Sequence, residues 1–254
     1  CNNNDVKKII LELDYQYWDK NLKRDSDFGD LLVYGQLPFS TLKMEYIASQ
    51  LMDKDFRTIY FRRYAFAKNW KTAKKYMAIK KTDEYKNFQI EGVAGIDTEG
   101  PYQGLGFFYR TKVTDKKGKL NPSPWTYDDL NPKVQKYFQK IVDYCKDNGI
   151  ELICVTTPIP PSSVVSGAAN EANTYFRQIC HENNVKYIDG NLIKNEVLDV
   201  SDDDFSDWEG HMNGELAERF SEILTYILKK DECSEYFYSG YDECIEAIKA
   251  RQAQ

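Results

Sequence analysis

The chain has 254 residues, 42% of them hydrophobic, with a net charge of −6 at neutral pH. That is enough for one large domain with its own core. It carries no dense Lys/Arg run, so nucleic acid is not expected as a partner, and no stretch reaches the roughly 18 apolar residues of a membrane span. The lysines between 68 and 81 alternate with tyrosine and alanine, as on a solvated helix face.

The chain opens on Cys1 and Asn2-Asn3-Asn4. Two readings stay open: the lipidated first residue of a processed lipoprotein, or a truncation point in a longer protein. The short tether before the first strand favours the second. Residues 6–14 then read as a buried strand ending in an aromatic, polar patch, Asp14-Tyr15-Gln16-Tyr17-Trp18. Ligands of open α/β sheets bind at such carboxyl ends, although aromatics also simply cover a sheet edge.

Ser40 should cap a helix running through Met44, Ile47, Ala48 and Leu51. A second helical region, 56–78, is aromatic and basic, as suits a half-exposed insertion over a site. Residues 92–118 read as an irregular excursion with a small hairpin, a candidate lid.

The pattern then becomes regular. Asn131-Pro132 opens a helix with a stripe of Val134, Tyr137, Phe138, Ile141 and Cys145, and Asn148-Gly149 ends it. Residues 150–156 form a buried strand, followed by a proline loop containing Ser162 and Ser163. Asn170 opens a helix with Ala172, Tyr175, Phe176 and Ile179 on one face, stopped by Asn183-Asn184. Residues 185–189 form a third strand. A last core helix carries Leu216, Phe220, Ile223, Leu224 and Ile227, and the tail, 231–254, holds a short helix read as an appendage. Alternating strands and helices imply a parallel sheet covered on both faces.

The six cysteines match no metal template. Cys145, Cys154 and Cys180 fall on apolar faces, where cysteine acts as a small hydrophobe. Cys233 and Cys244 are the one plausible disulfide pair. No phosphate loop or dinucleotide fingerprint opens any helix, and no cofactor or metal is expected.

Chemistry concentrates at Asp204-Phe205-Ser206-Asp207-Trp208-Glu209-Gly210-His211-Met212-Asn213. His211 is one of two histidines in the chain. A histidine is the commonest general base, and it needs an acid to hold its second nitrogen. Asp207, four residues upstream, can reach it, and Asp204 or Glu209 could take that part instead. The competing reading is a helix entry with Asp207 or Asn213 as cap. The other histidine, His181, suits a helix C-terminus. In a parallel sheet Asp14, Thr156-Thr157, Asp189 and the 207–211 loop collect at one rim.

Residues 131–229 resemble the SGNH (GDSL-type) hydrolases, in particular bacterial cell-envelope members related to D-alanyl transfer and polysaccharide O-acetylation proteins. The likeness rests on residues 148–161, on Val185-Lys-Tyr-Ile-Asp189, and on Phe205-Ser-Asp-Trp-Glu-Gly-His-Met-Asn213 with Ala217-Glu-Arg-Phe-Ser221. It implies a flavodoxin-like three-layer α/β fold over 1–230, with an insertion at about 56–125 and the first strands missing. It implies His211 as general base and Asp207 as its acid. Asp14, Tyr15, Thr157 and Asn213 would meet an acylated glycan or glycolipid substrate, and a membrane-bound acyl-transfer protein would be a partner. The setting would be extracytoplasmic. Two features depart from the family: three residues separate Asp207 from His211 rather than two, and no serine follows a first strand, so the nucleophile is expected upstream of Cys1. A non-catalytic carbohydrate-binding module on the same fold is the alternative.

Overall fold

The structure is a computed structural model and describes residues 5–20, 33–52, 73–88, 99–104, 106–111, 126–167, 169–206, 210–230 and 232–253. The chain divides into two units, one of 1–22 with 90–254 and one of 23–89.

Local signals shape the smaller unit. Ser40 accepts a hydrogen bond from the Lys43 N–H (3.3 Å) and starts α1, Thr41–Tyr46, which widens into a π turn, Ile47–Leu51. Of the helix expected over 56–78, only α2, Ala73–Ile79, lies among the described residues; α3, Asp83–Lys86, follows, capped by Thr82.

In the larger unit, three strands form a parallel sheet in the order β1 (Lys8–Glu12), β4 (Glu151–Thr156), β5 (Lys186–Asp189). Lys8 pairs with Glu151 and Glu12 with Val155 on one side of β4; Ile153 pairs with Lys186 and Thr156 with Asp189 on the other. A central parallel strand is buried on both faces and reads as a continuous apolar run, here Leu152 to Val155. Between β1 and β4, β2 (Glu99–Tyr102) and β3 (Phe108–Arg110) form the expected antiparallel hairpin.

Alternation along β4 sorts the core. Leu152 and Cys154 face α4, Pro132–Asp147, and α6, Asn170–Glu182, with Phe138, Val142, Cys145, Phe176 and Ile179. Ile153 and Val155 face α7, Gly214–Leu228, through Leu216, Phe220 and Ile227. The helix ends follow their sequence signals: Asn131 Oδ1 accepts the Lys133 N–H (3.0 Å), and Gly149 takes the left-handed turn at φ +62°.

Three expectations are corrected. The stripe of α4 is rotated: Phe138, Val142 and Cys145, spaced i, i+4, i+7, face the sheet, while Tyr137 and Ile141 sit about 100° away on the exposed flank. The strand read as buried, β1, is only half-buried, because it is an edge strand among the described residues and Ile10 faces away from the larger core cluster. The proline loop after β4 closes into a short helix, α5, Pro161–Val165, with proline at its first position. Whether Cys233 and Cys244 pair was left open by the sequence; in the structure both are free thiols, and Cys244 is buried.

The helix read as an appendage, α8 (Tyr241–Gln252), buries Cys244 and Ile248 against Val164 of α5 and Leu192. It lies within the larger unit.

Candidate functional site

The carboxyl ends of β1 and β4 build the floor. After β1 the Leu13 N–H still reaches the Val155 carbonyl (2.8 Å). Asp14 then accepts the Gln16 N–H (2.9 Å) and turns the chain into a 3-10 turn, Tyr15–Trp18. That turn sends Trp18 into the core against Phe138 and Phe176, with ring centroids at 5.6 and 5.1 Å. Within the aromatic patch, Trp18 covers the sheet, as one of the two readings has it, while Asp14, Tyr15 and Tyr17 line a cleft. On β4, Thr156 Oγ–H donates to the Leu13 carbonyl (3.0 Å), so the Tyr187 hydroxyl 2.7 Å away is the donor to Thr156. Thr157 Oγ–H donates to Glu12 (2.7 Å).

The loop carrying His211 is closed at its base. Phe205 and Met212 form an antiparallel bridge. The Ser206 N–H and Oγ–H both donate to the His211 carbonyl, at 2.7 and 3.1 Å, and the Asn213 N–H donates to the Asp204 carbonyl (2.7 Å). Asn213 caps α7, its Oδ1 accepting the Leu216 N–H (2.8 Å). Asp207 and Glu209 lie outside the described residues.

A cleft of about 250 Å³ opens between these elements, lined by Glu12, Asp14, Tyr15, Thr157, Gly210 and His211, among others. The structure thus brings His211, Asp14, Tyr15 and Thr157 together at the strands' carboxyl rim. Asn213 is engaged as a helix cap and does not line the cleft. Asp204 is committed elsewhere: one oxygen pairs with Arg219 (2.8 Å) and the other accepts the Ser201 N–H and hydroxyl (2.8 and 3.0 Å).

Asp14 is a carboxylate that feels His211. Burial pushes its pKa above the usual carboxylate range. The Gln16 N–H pulls it back, the Glu12 charge raises it again, and His211 lowers it. Glu12 was not foreseen, yet residues two apart on a strand share a face, so the sequence contained the signal. Ser206 and Arg110, which brace the loop, had no such signal.

Asp189, expected at the same rim, faces a different network. It is buried, accepts the Asn191 N–H and Nδ2–H (both 3.1 Å), and receives the Tyr241 hydroxyl of α8 (2.7 Å). Tyr241 in turn accepts from Asn173 Nδ2 (2.6 Å). Burial raises the Asp189 pKa, and these donors moderate it.

No family model, curated protein or solved structure matches the chain. Among the described residues, no three His, Cys, Asp or Glu side chains are grouped to hold a metal, and no helix is long and apolar enough to cross a membrane.

Proposed function

We propose that this chain supplies the base and an acid of an SGNH-type esterase or O-acyltransferase, built on a flavodoxin-like α/β fold. Its substrate is an acyl ester of a cell-envelope glycan or glycolipid. The observation that supports this reading most is that His211 and Asp14 line one cleft at the carboxyl rim of a parallel sheet, close enough for their charges to interact. In open α/β sheets that rim is where ligands bind.

In this reading a serine encoded ahead of Cys1 attacks the acyl carbonyl. His211 takes the serine proton, then returns it to the alkoxide leaving group as the ester C–O bond breaks. Water or a glycan hydroxyl repeats the exchange and releases the acyl group. Asp14 or Asp207 holds the imidazole. An extracytoplasmic setting and a membrane-bound acyl-transfer partner belong to the same proposal.

The test is p-nitrophenyl acetate hydrolysis by the chain together with whatever coding sequence precedes Cys1. His211→Ala should lower kcat by about 10³-fold or more, as loss of a triad base does. An unchanged kcat would refute the reading.

One observation favours a second reading, a sugar-binding module without catalysis. Tyr17 lies on the cleft wall 67% exposed, where a ring could stack on a sugar face. That reading predicts glycan binding that survives His211→Ala and fails with Tyr17→Ala.

A further inference from the structure

We infer that Arg110 and Ser206 are positioning residues for His211, and that the β2–β3 hairpin is the brace setting where the imidazole stands in the cleft. The inference rests on the site proposed above but requires no turnover.

Ser206 is buried, with its Oγ 3.1 Å from Arg110 Nη1 and 3.1 Å from the His211 carbonyl. A hydroxyl has one hydrogen. Because the guanidinium N–H donates to Ser206 Oγ, that hydrogen must go to His211. The Ser206 N–H donates to the same carbonyl at 2.7 Å. The His211 peptide is therefore gripped twice by one residue, and that residue is gripped by a cation from the hairpin. A charged donor strengthens the bond it makes and polarises the next one in the chain.

A second contact fixes the hairpin at the same place. A Cβ on Gly214, the first residue of α7, would lie 2.6 Å from the Tyr109 ring. Tyr109 thus lies flat on the helix start two residues beyond Met212, whose bridge to Phe205 closes the loop. Neighbouring hairpin residues, Tyr109 and Arg110, clamp both ends of the stretch from Ser206 to Gly214. Tyr109 needs glycine at 214, and Arg110 needs a hydroxyl at 206.

The experiment follows the Asp14 carboxyl by carbon-detected NMR titration of the full chain. In the wild type, His211→Ala removes an attractive charge, so the Asp14 midpoint should rise. In an Arg110→Ala background the histidine is no longer held beside Asp14, and adding His211→Ala should produce little or no further rise. Ser206→Ala should behave the same way, and Ser206→Thr and Arg110→Lys should restore most of the effect. Ser206→Ala removes a single hydroxyl, so it serves if Arg110→Ala does not fold. An undiminished rise in both Arg110→Ala and Ser206→Ala would overturn the inference. If the brace behaves as expected but ester hydrolysis is absent, only the hydrolase reading fails.

Discussion

Tyr241→Phe removes one oxygen from the centre of a buried polar network and leaves the ring in place. That hydroxyl donates to Asp189 at 2.7 Å and accepts from Asn173 Nδ2 at 2.6 Å. A hydrogen bond to a charged group contributes about 1.5–3 kcal/mol, and a buried donor left without a partner costs about 1–3 kcal/mol. The two share one hydroxyl, so the expected loss is about 2–4 kcal/mol while Asp189 is ionised.

The loss should depend on pH. Burial raises the Asp189 pKa above its ordinary 3.8, and Tyr241 is the leading group pulling it back. A raised folded pKa contributes stability below the ordinary carboxylate range, and that contribution is lost as pH rises through the folded value. Removing the hydroxyl raises the folded pKa further. The deficit is therefore largest above the folded pKa of Asp189, where the carboxylate is charged, and shrinks as pH falls through that value toward the ordinary 3.8. Urea unfolding of both proteins over a series of pH values measures this directly. A deficit that is absent, or equal at every pH across the series, would refute the assignment of Tyr241 as the donor that docks α8 on Asp189.

Three further outcomes follow from the packing and the cleft. Phe220→Ala, buried between α7 and the sheet, should cost about 3–5 kcal/mol in denaturant unfolding. With a thiol-specific disulfide reagent on the folded chain, half-buried Cys233 should react well before Cys145, Cys154, Cys180 and Cys244, which are buried. The Cys244 thiol is also pushed up to about 11, by burial first and then by the charges of Asp189 and Glu243. Asp14→Asn should raise the melting temperature at pH values where Asp14 is ionised, because it removes a half-buried charge repelled by Glu12, while lowering any ester hydrolysis.

What was legible in the sequence was local. Asn131-Pro132 and Asn148-Gly149 mark helix ends by bonds to residues within four positions, and both stand where read; Asn213, assigned to the substrate, takes the cap position of the competing reading. The apolar run of β4 needs only its own composition to be recognised as a central strand. The rotation of α4 was not legible, because Ile141 is as apolar as Val142, the Tyr137 ring also offers apolar area, and only the sheet decides which flank it covers. The docking of α8 was hidden for another reason: a polar contact, Tyr241 to Asp189, joins residues 52 positions apart. The same holds at the site. His211 could be picked out by scarcity and Asp14 by its place after a strand, but only parallel pairing of β1 with β4 puts the two on one cleft. Arg110 and Ser206, 96 positions apart, carry no local mark of their contact.

The claim that His211 activates a serine at this rim is tested most directly with an aryl fluorophosphonate, which labels only an activated hydroxyl. The protein, with whatever coding sequence precedes Cys1 included, is treated and its peptides are mapped by mass. The account predicts one labelled serine, with labelling abolished in His211→Ala. Labelling that persists at the same rate without His211, or none on the intact protein, would contradict it.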